Sequence, residues 1–403
     1  MMEVSNTIQE YLKWRGDLTF QADPFNEVDN LLFAQLAYVD FDGIVGASRE
    51  DKISIGDVCR KYWETRTEEE IRSRQSFTNY SPFLLKPVAE SRRFEKTMLS
   101  GYVNFVSKDR EAQMSAVQFN LEDGTIYVAF RGTDETIIGW KEDFNLSYMT
   151  GTGGQKLALK YMEDNFADTS LRLRVGGHSK GGNFAVYAAT FASDAVKAQI
   201  MEIYTNDGPG FRNDVTQLEE YKKVLEKTVN IIPAYSIIGR LLSSGLQPRV
   251  VKSSGSGIMQ HDAMTWQVMG NRFQNTKRDK DSIFLENVLD DWIRSVDDEA
   301  RRLFVDQIFN VLQSSGGRTM KDVRSSSLSD IGEAINVIRK VPKEQQKEFS
   351  RVLVRLLRSG EKNIYEQIGQ SENLPELIRK WAAERESELR MEGKEDESGR
   401  NDD

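Results

Sequence analysis

A tight junction between a strand-like and a helix-like segment is the feature that most limits how this chain can fold. Residues 171–175 have the pattern of a buried strand, residues 183–191 that of a helix, and Gly-x-Ser-x-Gly lies between them at residues 177–181. The three-residue match is weak by itself, but this strand–turn–helix setting is the one that a nucleophile elbow requires. The two glycines fit where a Cβ would collide with neighbouring chain. The junction therefore predicts an exposed Ser179 hydroxyl beside a helix N-terminus, whose N–H groups favour a developing anion.

A glycine-rich loop that binds phosphate is the alternative interpretation of the same junction. Such loops carry Gly-x-x-x-x-Gly-Lys-Ser/Thr, whose backbone N–H groups cradle the phosphate oxygens. That spacing is absent both at residues 176–182 and in the second glycine-rich stretch, residues 151–156. The nucleophile elbow is therefore the favoured interpretation.

Strand-like and helix-like runs alternate over the middle of the chain. Apolar patterns predict strands at residues 102–106, 112–119, 125–130, 171–175, 203–205 and 228–232. Glu122-Asp123-Gly124 predicts a hairpin turn before the third of these strands. Helix-like segments at residues 183–191 and 215–225 separate the later strands. Strands separated by helices predict an α/β fold with a mostly parallel sheet covered by helices.

The N-terminal part, residues 1–100, is predicted to be largely helical. Asp29-Asn30 precede an amphipathic pattern at residues 31–37 and are predicted to cap it. Residues 67–74, which are rich in Glu and Arg, form a second predicted helix.

The residues after about 280 differ from the rest because strand-like runs stop there. Apolar residues recur at helical spacing, which predicts a helical C-terminal region at residues 281–383 appended to a domain at residues 1–280. Residues 384–403 carry nine acidic and four basic residues, which predicts a solvated, disordered tail. The C-terminal helices are candidates for a lid, an oligomer interface or a surface that contacts other proteins.

Only two histidines, His178 and His261, and one cysteine, Cys59, occur among the 403 residues. These counts exclude a clustered metal site and a disulfide framework. No metal or organic cofactor is expected. The formal net charge of -9 argues against nucleic-acid binding, which usually needs a basic surface. The N-terminus lacks a basic segment followed by an apolar run, and the longest nearby apolar stretch, residues 31–39, is too short to span a bilayer. A cytoplasmic protein without an integral membrane segment is therefore expected.

A serine nucleophile needs a general base, and the chain offers two candidates. His178 directly precedes Ser179 inside the elbow, where its side chain points away from the serine hydroxyl, so it is predicted to be structural. His261 lies downstream of every predicted strand, which fits the chain order Ser, Asp or Glu, His. His261 is therefore the predicted base.

The acid that orients the base is expected at a strand end between Ser179 and His261. Asp207 lies at the end of the strand predicted at residues 203–205 and is followed by a Gly/Pro turn. An aspartate at a turn often only forms a hydrogen bond with its own backbone, which is the alternative for Asp207. Asp214 is the second candidate, but it falls where a helix begins and capping explains it equally well. The loop after residues 228–232 contains Ser236 and no carboxylate.

An oxyanion hole needs two backbone donors. One comes from the residue after the nucleophile, here Lys180, and the other from an earlier loop. Thr133 follows the predicted strand at residues 125–130 directly and could give its N–H and its hydroxyl. The alternative for Thr133 is a simple turn at a strand end.

Three segments resemble the class 3, or fungal-type, lipases of the α/β-hydrolase fold. They are Phe130-Arg131-Gly132-Thr133, Trp140-Lys141-Glu142-Asp143-Phe144 and Gly177-His178-Ser179-Lys180-Gly181-Gly182-Asn183. Blocks at residues 30–34, 207–211 and 260–262 are similar, more closely still, to an uncharacterised bacterial family related to those lipases. The resemblance covers residues 25–275. It implies an α/β-hydrolase fold with Ser179 as nucleophile, His261 as base, and Thr133 and Lys180 at the oxyanion hole.

Two positions depart from the class 3 pattern. Those lipases usually carry an apolar residue at the position of Lys180, and they usually place the acid in the loop that here contains Ser236. Triacylglycerol lipase is therefore too specific an interpretation. The expected function is a serine hydrolase, esterase-like or lipase-like, that acts on a small-molecule or lipid ester. A thioesterase or peptidase with the same triad, and a non-catalytic binding or regulatory protein on this fold, remain alternatives.

Overall fold

The computed structural model describes residues 6–295, except residues 74–79, 108, 110, 134–140, 144 and 243, and also residues 297–299 and 302. The predicted helical region at residues 281–383 is thus described only at its beginning. The predicted acidic tail at residues 384–403 lies outside the described residues.

Helices and strands alternate after an N-terminal helical part. The described helices are Ile8–Arg15, Glu27–Leu36, Ile55–Glu64, Glu68–Ser73, Leu85–Ala89, Gly153–Phe166, Lys180–Phe191, Asp194–Gln199, Asn213–Thr216, Glu219–Leu225 and Lys280–Ser295. The strands are β1 (Ile53–Ser54), β2 (Met98–Ser107), β3 (Ala112–Asn120), β4 (Thr125–Phe130), β5 (Arg172–His178), β6 (Ile200–Asn206), β7 (Thr228–Pro233), β8 (Arg249–Val251), β9 (Val268–Met269) and β10 (Arg272–Phe273). Short 3-10 turns lie at Ser81–Leu84, Ile238–Arg240, Gly257–His261 and Ala263–Thr265.

Strands β1 to β8 form one sheet in chain order. The pairings from β1 to β4 are antiparallel, and those from β4 to β8 are parallel. Helices lie in the connections from β4 to β7, and a 3-10 turn lies in the connection from β7 to β8. This arrangement is an α/β-hydrolase fold, as predicted. The six predicted strands and the hairpin turn before β4 are confirmed, whereas β1 and β8 have two and three residues, too few to show a period.

The sheet has a hydrophobic core on each face. Side chains of β4 alternate between them: Ile126, Val128 and Phe130 pack with the central helices, while Tyr127 and Ala129 pack with the N-terminal helices. Because successive side chains of a strand point to opposite faces, this apolar strand is buried on both sides. The N-terminal helices therefore cover one face of the sheet.

Two predicted helix boundaries were wrong. The helix predicted at residues 31–37 begins at Glu27, not after Asn30, because the Asn26 side chain accepts hydrogen bonds from the backbone of Val28 and Asp29 in a capping box. Asp29 thus lies inside the helix, where it is buried. The single helix predicted at residues 215–225 is two helices, since Leu218 has an extended backbone and starts the second one.

The expectation that His261 follows every strand was wrong. The short hairpin of β9 and β10 lies after His261, although every described strand of the main sheet precedes it. Within the described part of the chain, every helix is too short or too polar to cross a membrane.

Candidate active site

The elbow at Ser179 is built by the end of β5 and the start of the Lys180–Phe191 helix. Ser179 has φ 56° and ψ -133°, a conformation that an L-residue rarely adopts. A Cβ on Gly177 would lie 2.4 Å from the carbonyl oxygen of Phe130, and one on Gly181 would lie 2.0 Å from the same oxygen. Both glycines are therefore needed for close packing of the elbow against β4, as the sequence predicted.

Ser179, His261 and Asp207 form a continuous hydrogen-bonded chain. His261 Nε2 lies 3.1 Å from Ser179 Oγ, and His261 Nδ1 lies 2.6 Å from Asp207 Oδ2. Because the buried carboxylate accepts from Nδ1–H, Nε2 is left to accept from the serine hydroxyl. The structure thus brings together the three predicted side chains, although 82 residues separate Ser179 from His261.

The parallel register explains why these side chains meet. His178, at the end of β5, pairs with Asn206, at the end of β6, so that Ser179 and Asp207 leave neighbouring strands side by side. The carboxyl ends of parallel strands are where open α/β sheets place their sites. His261 reaches the same edge from the 3-10 turn Gly257–His261.

Asp207, not Asp214, is the carboxylate beside His261. Asp207 is fully buried, and its Oδ1 accepts hydrogen bonds from Ser236 Oγ at 2.5 Å and from the Gly239 N–H at 3.2 Å. Asp214 accepts a hydrogen bond from Thr150 Oγ1, and its side chain is 42% exposed. Ser236, in the loop where class 3 lipases usually carry the acid, donates instead to an acid on the preceding strand. Sequence reasoning noted this loop but did not find that role.

His178 is buried, and both of its ring nitrogens form hydrogen bonds with groups other than Ser179 Oγ. Its Nε2 donates to the backbone oxygen of His261 at 2.9 Å, so its Nδ1 accepts from the Tyr38 hydroxyl at 3.0 Å. Burial, reinforced by the neighbouring His261, holds the pKa of His178 well below its usual value. The ring is therefore neutral and supports the His261 backbone, in agreement with the predicted structural role.

Thr133 lies in the segment that leaves β4 and runs against the elbow. A Cβ on its neighbour Gly132 would lie 2.5 Å from the carbonyl oxygen of His178 and 3.1 Å from Ser179 Cβ, so the two segments are in close contact. The Thr133 hydroxyl donates to Asp143 Oδ2 at 2.5 Å. The hydroxyl thus anchors this segment.

Lys180 follows Ser179, and its side chain is buried among carboxylates. Its Nζ lies 3.4 Å from Glu142 Oε2 and 3.7 Å from Asp143 Oδ1. Glu142 also accepts the backbone N–H groups of Gly154 and Gln113. This cluster explains how the chain tolerates a charge where class 3 lipases usually have an apolar residue.

The two carboxylates of this cluster were missed as site residues. Loss of solvent raises the pKa of Asp143, while the Lys180 ammonium and the Thr133 hydroxyl act in the opposite direction. The signal that could have found Glu142 and Asp143 is Lys180 itself, since a lysine buried beside a nucleophile elbow requires a nearby carboxylate.

The fold and the arrangement of Ser179, His261 and Asp207 define the chain as an α/β-hydrolase-fold protein. The chain belongs to the Mbeg1-like family, whose model matches residues 88–310, a span that includes these three residues and Thr133. The predicted relation to a bacterial family of lipase relatives stays a prediction.

Several solved structures of lipases are similar to this chain. The lipase of Rhizomucor miehei in its propeptide complex is 15% identical, with a TM-score of 0.27 over 39% of this chain and 57% of that one. M37 lipase is 15% identical, with a TM-score of 0.32 over 53% of this chain and 68% of that one. Lipase II from Rhizopus niveus is 18% identical, with a TM-score of 0.29 over 47% of this chain and 81% of that one. The chain thus spans little more than half of the Rhizomucor lipase chain, and no curated protein matches the sequence.

Proposed function

We propose that this protein is a serine hydrolase that cleaves carboxylic esters by acyl transfer through Ser179. The observation that carries the proposal is the hydrogen-bonded chain from Ser179 Oγ through His261 to the buried carboxylate of Asp207. Those three groups can perform nucleophilic attack, proton transfer and stabilisation of the resulting imidazolium, respectively.

In the first half of the reaction, Ser179 Oγ attacks the ester carbonyl carbon while His261 Nε2 takes the hydroxyl proton. The tetrahedral intermediate then collapses, and His261 returns the proton to the leaving alcohol, which departs with the electron pair of the broken C–O bond. In the second half, the water oxygen attacks the acyl carbon while His261 Nε2 takes a proton from the water. The second tetrahedral intermediate then collapses: the bond between the acyl carbon and Ser179 Oγ breaks, Oγ takes the proton back from His261, and the acid product leaves. Asp207 keeps its negative charge throughout and holds Nδ1 of the imidazole.

The oxyanion of both intermediates is assigned to two backbone N–H groups. The N–H of Lys180 lies at the start of the Lys180–Phe191 helix, directly after the nucleophile. The N–H of Thr133 is the second donor, held in place by the bond from the Thr133 hydroxyl to Asp143. Fixed donors and a helix dipole aimed at the developing charge stabilise the transition state more than the ester.

The proposed substrate is a small-molecule or lipid ester. Lys180 does not argue against an apolar acyl group, because its ammonium is buried and faces Glu142 and Asp143. The cytoplasmic location expected from the sequence belongs to this proposal as a prediction.

Hydrolysis of short- and medium-chain p-nitrophenyl esters tests the proposal. We expect the purified full chain to turn these esters over, and Ser179→Ala to lower kcat by about a thousandfold or more. Ser91→Ala is the matched control, because Ser91 is also buried but donates only to the carbonyl of Val88 in the N-terminal part. Equal rates in wild type and Ser179→Ala would contradict the proposal, and the non-catalytic alternative would then stand. Cleavage of thioesters or peptides in place of esters would favour the alternative of a thioesterase or peptidase with the same triad.

A further inference from the structure

The two oxygens of Asp207 have separate partners. Oδ2 faces His261 Nδ1, while Oδ1 receives the hydroxyl of Ser236 and the N–H of Gly239. The loop that carries both donors is closely fitted, since a Cβ on Gly239 would lie 2.3 Å from Asp207 Oδ1. The direction of the carboxylate therefore depends on where this loop is held.

Ser282, in the first turn of the Lys280–Ser295 helix, locks the backbone of Ser236. The Ser236 N–H donates to Ser282 Oγ at 3.1 Å, and the Ser282 hydroxyl donates back to the Ser236 carbonyl at 2.7 Å. Both serines are buried, at 1% and 0% exposure. The helix start is fixed in turn by Asp279, whose Oδ1 accepts the N–H of Ser282 and whose N–H donates to Ala234.

Glu286, one turn further along the same helix, holds the other donor. It accepts from Arg240 at 2.9 and 2.5 Å and from Arg278 at 2.5 Å, and Arg240 directly follows Gly239. Burial acts to raise the pKa of Glu286, but the two arginines outweigh it and hold the pKa below its usual value. Residues four apart lie on one helix face, so Ser282 and Glu286 contact the loop that carries Ser236 and Gly239 from the same side.

We propose that Ser236 and Ser282 are positioning residues for the Asp207–His261 pair, and that the Lys280–Ser295 helix is thereby part of the catalytic apparatus. The inference rests on the proposed function and deepens it. The helix lies beyond the segment that resembles class 3 lipases, and its Ser282 reaches the triad acid through a single residue, Ser236.

The Ser236 hydroxyl makes the shorter of the two hydrogen bonds to Asp207 Oδ1. Without it the carboxylate is less well oriented toward His261 Nδ1, so the Nδ1–H tautomer of His261 is less favoured. The kcat of ester hydrolysis then falls while KM changes little.

Nuclear magnetic resonance of the full chain labelled with [15N]histidine measures the effect directly, because the shifts of the two ring nitrogens report which tautomer is present. The chain has two histidines, so His261→Gln identifies which signals belong to His261. At alkaline pH we expect the Nδ1–H tautomer of His261 in the wild type. In Ser236→Ala we expect a larger share of the Nε2–H tautomer and a fall in ester-hydrolysis kcat of about tenfold. In Ser282→Ala both changes have the same sign and are smaller. The double variant should match Ser236→Ala alone, since Ser282 acts through Ser236.

Ser91→Ala, which removes a buried hydroxyl that donates to Val88, should leave the tautomer share of His261 unchanged. A tautomer share that is unaltered in both Ser236→Ala and Ser282→Ala, with the fold intact by circular dichroism, would overturn the inference. Should Ser236→Ala fail to fold, Ser282→Ala decides by the same criterion. If the wild type hydrolyses no ester, the proposed function fails, while the tautomer share still decides whether these serines position the pair.

Discussion

Ser179 and Asp207 share an unusual backbone conformation at the ends of neighbouring strands. Their φ values are 56° and 51°, in a region that residues other than glycine rarely occupy. Such strain persists only where the surroundings hold it, and it concentrates at functional sites. Four non-glycine residues in the described part of the chain have a positive φ, and two of them, Ser179 and Asp207, belong to one hydrogen-bonded chain. Their shared strain supports a functional role for this arrangement.

The carboxylate of Asp207, not that of Asp214, is expected to support His261 during the reaction. Asp207→Asn keeps the shape of the side chain but removes the charge that stabilises the His261 imidazolium, so kcat should fall by about 10³- to 10⁴-fold. Asp214→Asn is the matched control, because the Asp214 carboxyl is half-exposed and binds Thr150 instead. Steady-state kinetics at neutral pH would check both variants. A larger loss in Asp214→Asn would refute the assignment.

Thr133 gives the second prediction at this scale. Thr133→Val removes the hydroxyl that binds Asp143 but keeps the side-chain volume, so the Thr133 N–H loses its anchor. The kcat should fall by about 10- to 100-fold, less than the loss expected when an oxyanion donor is removed. Thr133→Ser keeps the hydroxyl and should retain most of the rate. If the Val and Ser variants were equally active, this hydroxyl would have no part in the oxyanion hole.

At the scale of elements, the junction of β5 with the Lys180–Phe191 helix depends on close packing against β4. A Cβ on Gly181 would meet the backbone of Phe130 at 2.0 Å, so backbone must move to admit it. We expect Gly181→Ala to lower the free energy of unfolding by about 1–3 kcal/mol and to reduce activity further by displacing Ser179. Chemical denaturation measures the first effect and ester hydrolysis the second.

Gly56→Ala is the control for this substitution. Gly56 lies in the Ile55–Glu64 helix, where an added Cβ comes no closer than 3.9 Å to the Ser54 hydroxyl. Alanine should leave stability unchanged or raise it by up to about 1 kcal/mol, since it favours helix more than glycine does. Equal destabilisation by the two substitutions would show that packing against β4 is not what requires Gly181.

Elements with a long apolar pattern could be predicted from the sequence, and short or capped ones could not. β4 could be predicted because five of its six residues are apolar, and the structure buries all six. The cap of the Glu27–Leu36 helix was misplaced because Asp29 resembles a capping residue, yet its carboxylate binds the backbone of Asn26 and the buried Arg93. That pairing joins residues 64 apart in sequence, which no local pattern reports.

At the scale of the whole molecule, the site exists only because the sheet register brings distant residues to one edge. That Ser179, Asp207 and His261 meet could be predicted from three signals. The Gly-x-Ser-x-Gly match lies between a strand and a helix, histidine is scarce, and Asp207 follows a strand between the other two residues. The supporting residues could not: Ser236 is 29 residues from Asp207, and Ser282 is 46 residues from Ser236. Serine is common, and its role follows only from the tertiary contacts it makes.

Reaction with a fluorophosphonate probe tests the central claim most directly, because the probe phosphonylates a serine only when a neighbouring base activates it. Intact-mass analysis should show a single adduct on the wild type, and peptide mapping should place it on Ser179. Ser179→Ala should show none, and His261→Ala should react far more slowly. A wild type that stays unmodified under conditions that label an active serine hydrolase, or equal labelling of wild type and Ser179→Ala, would contradict the account.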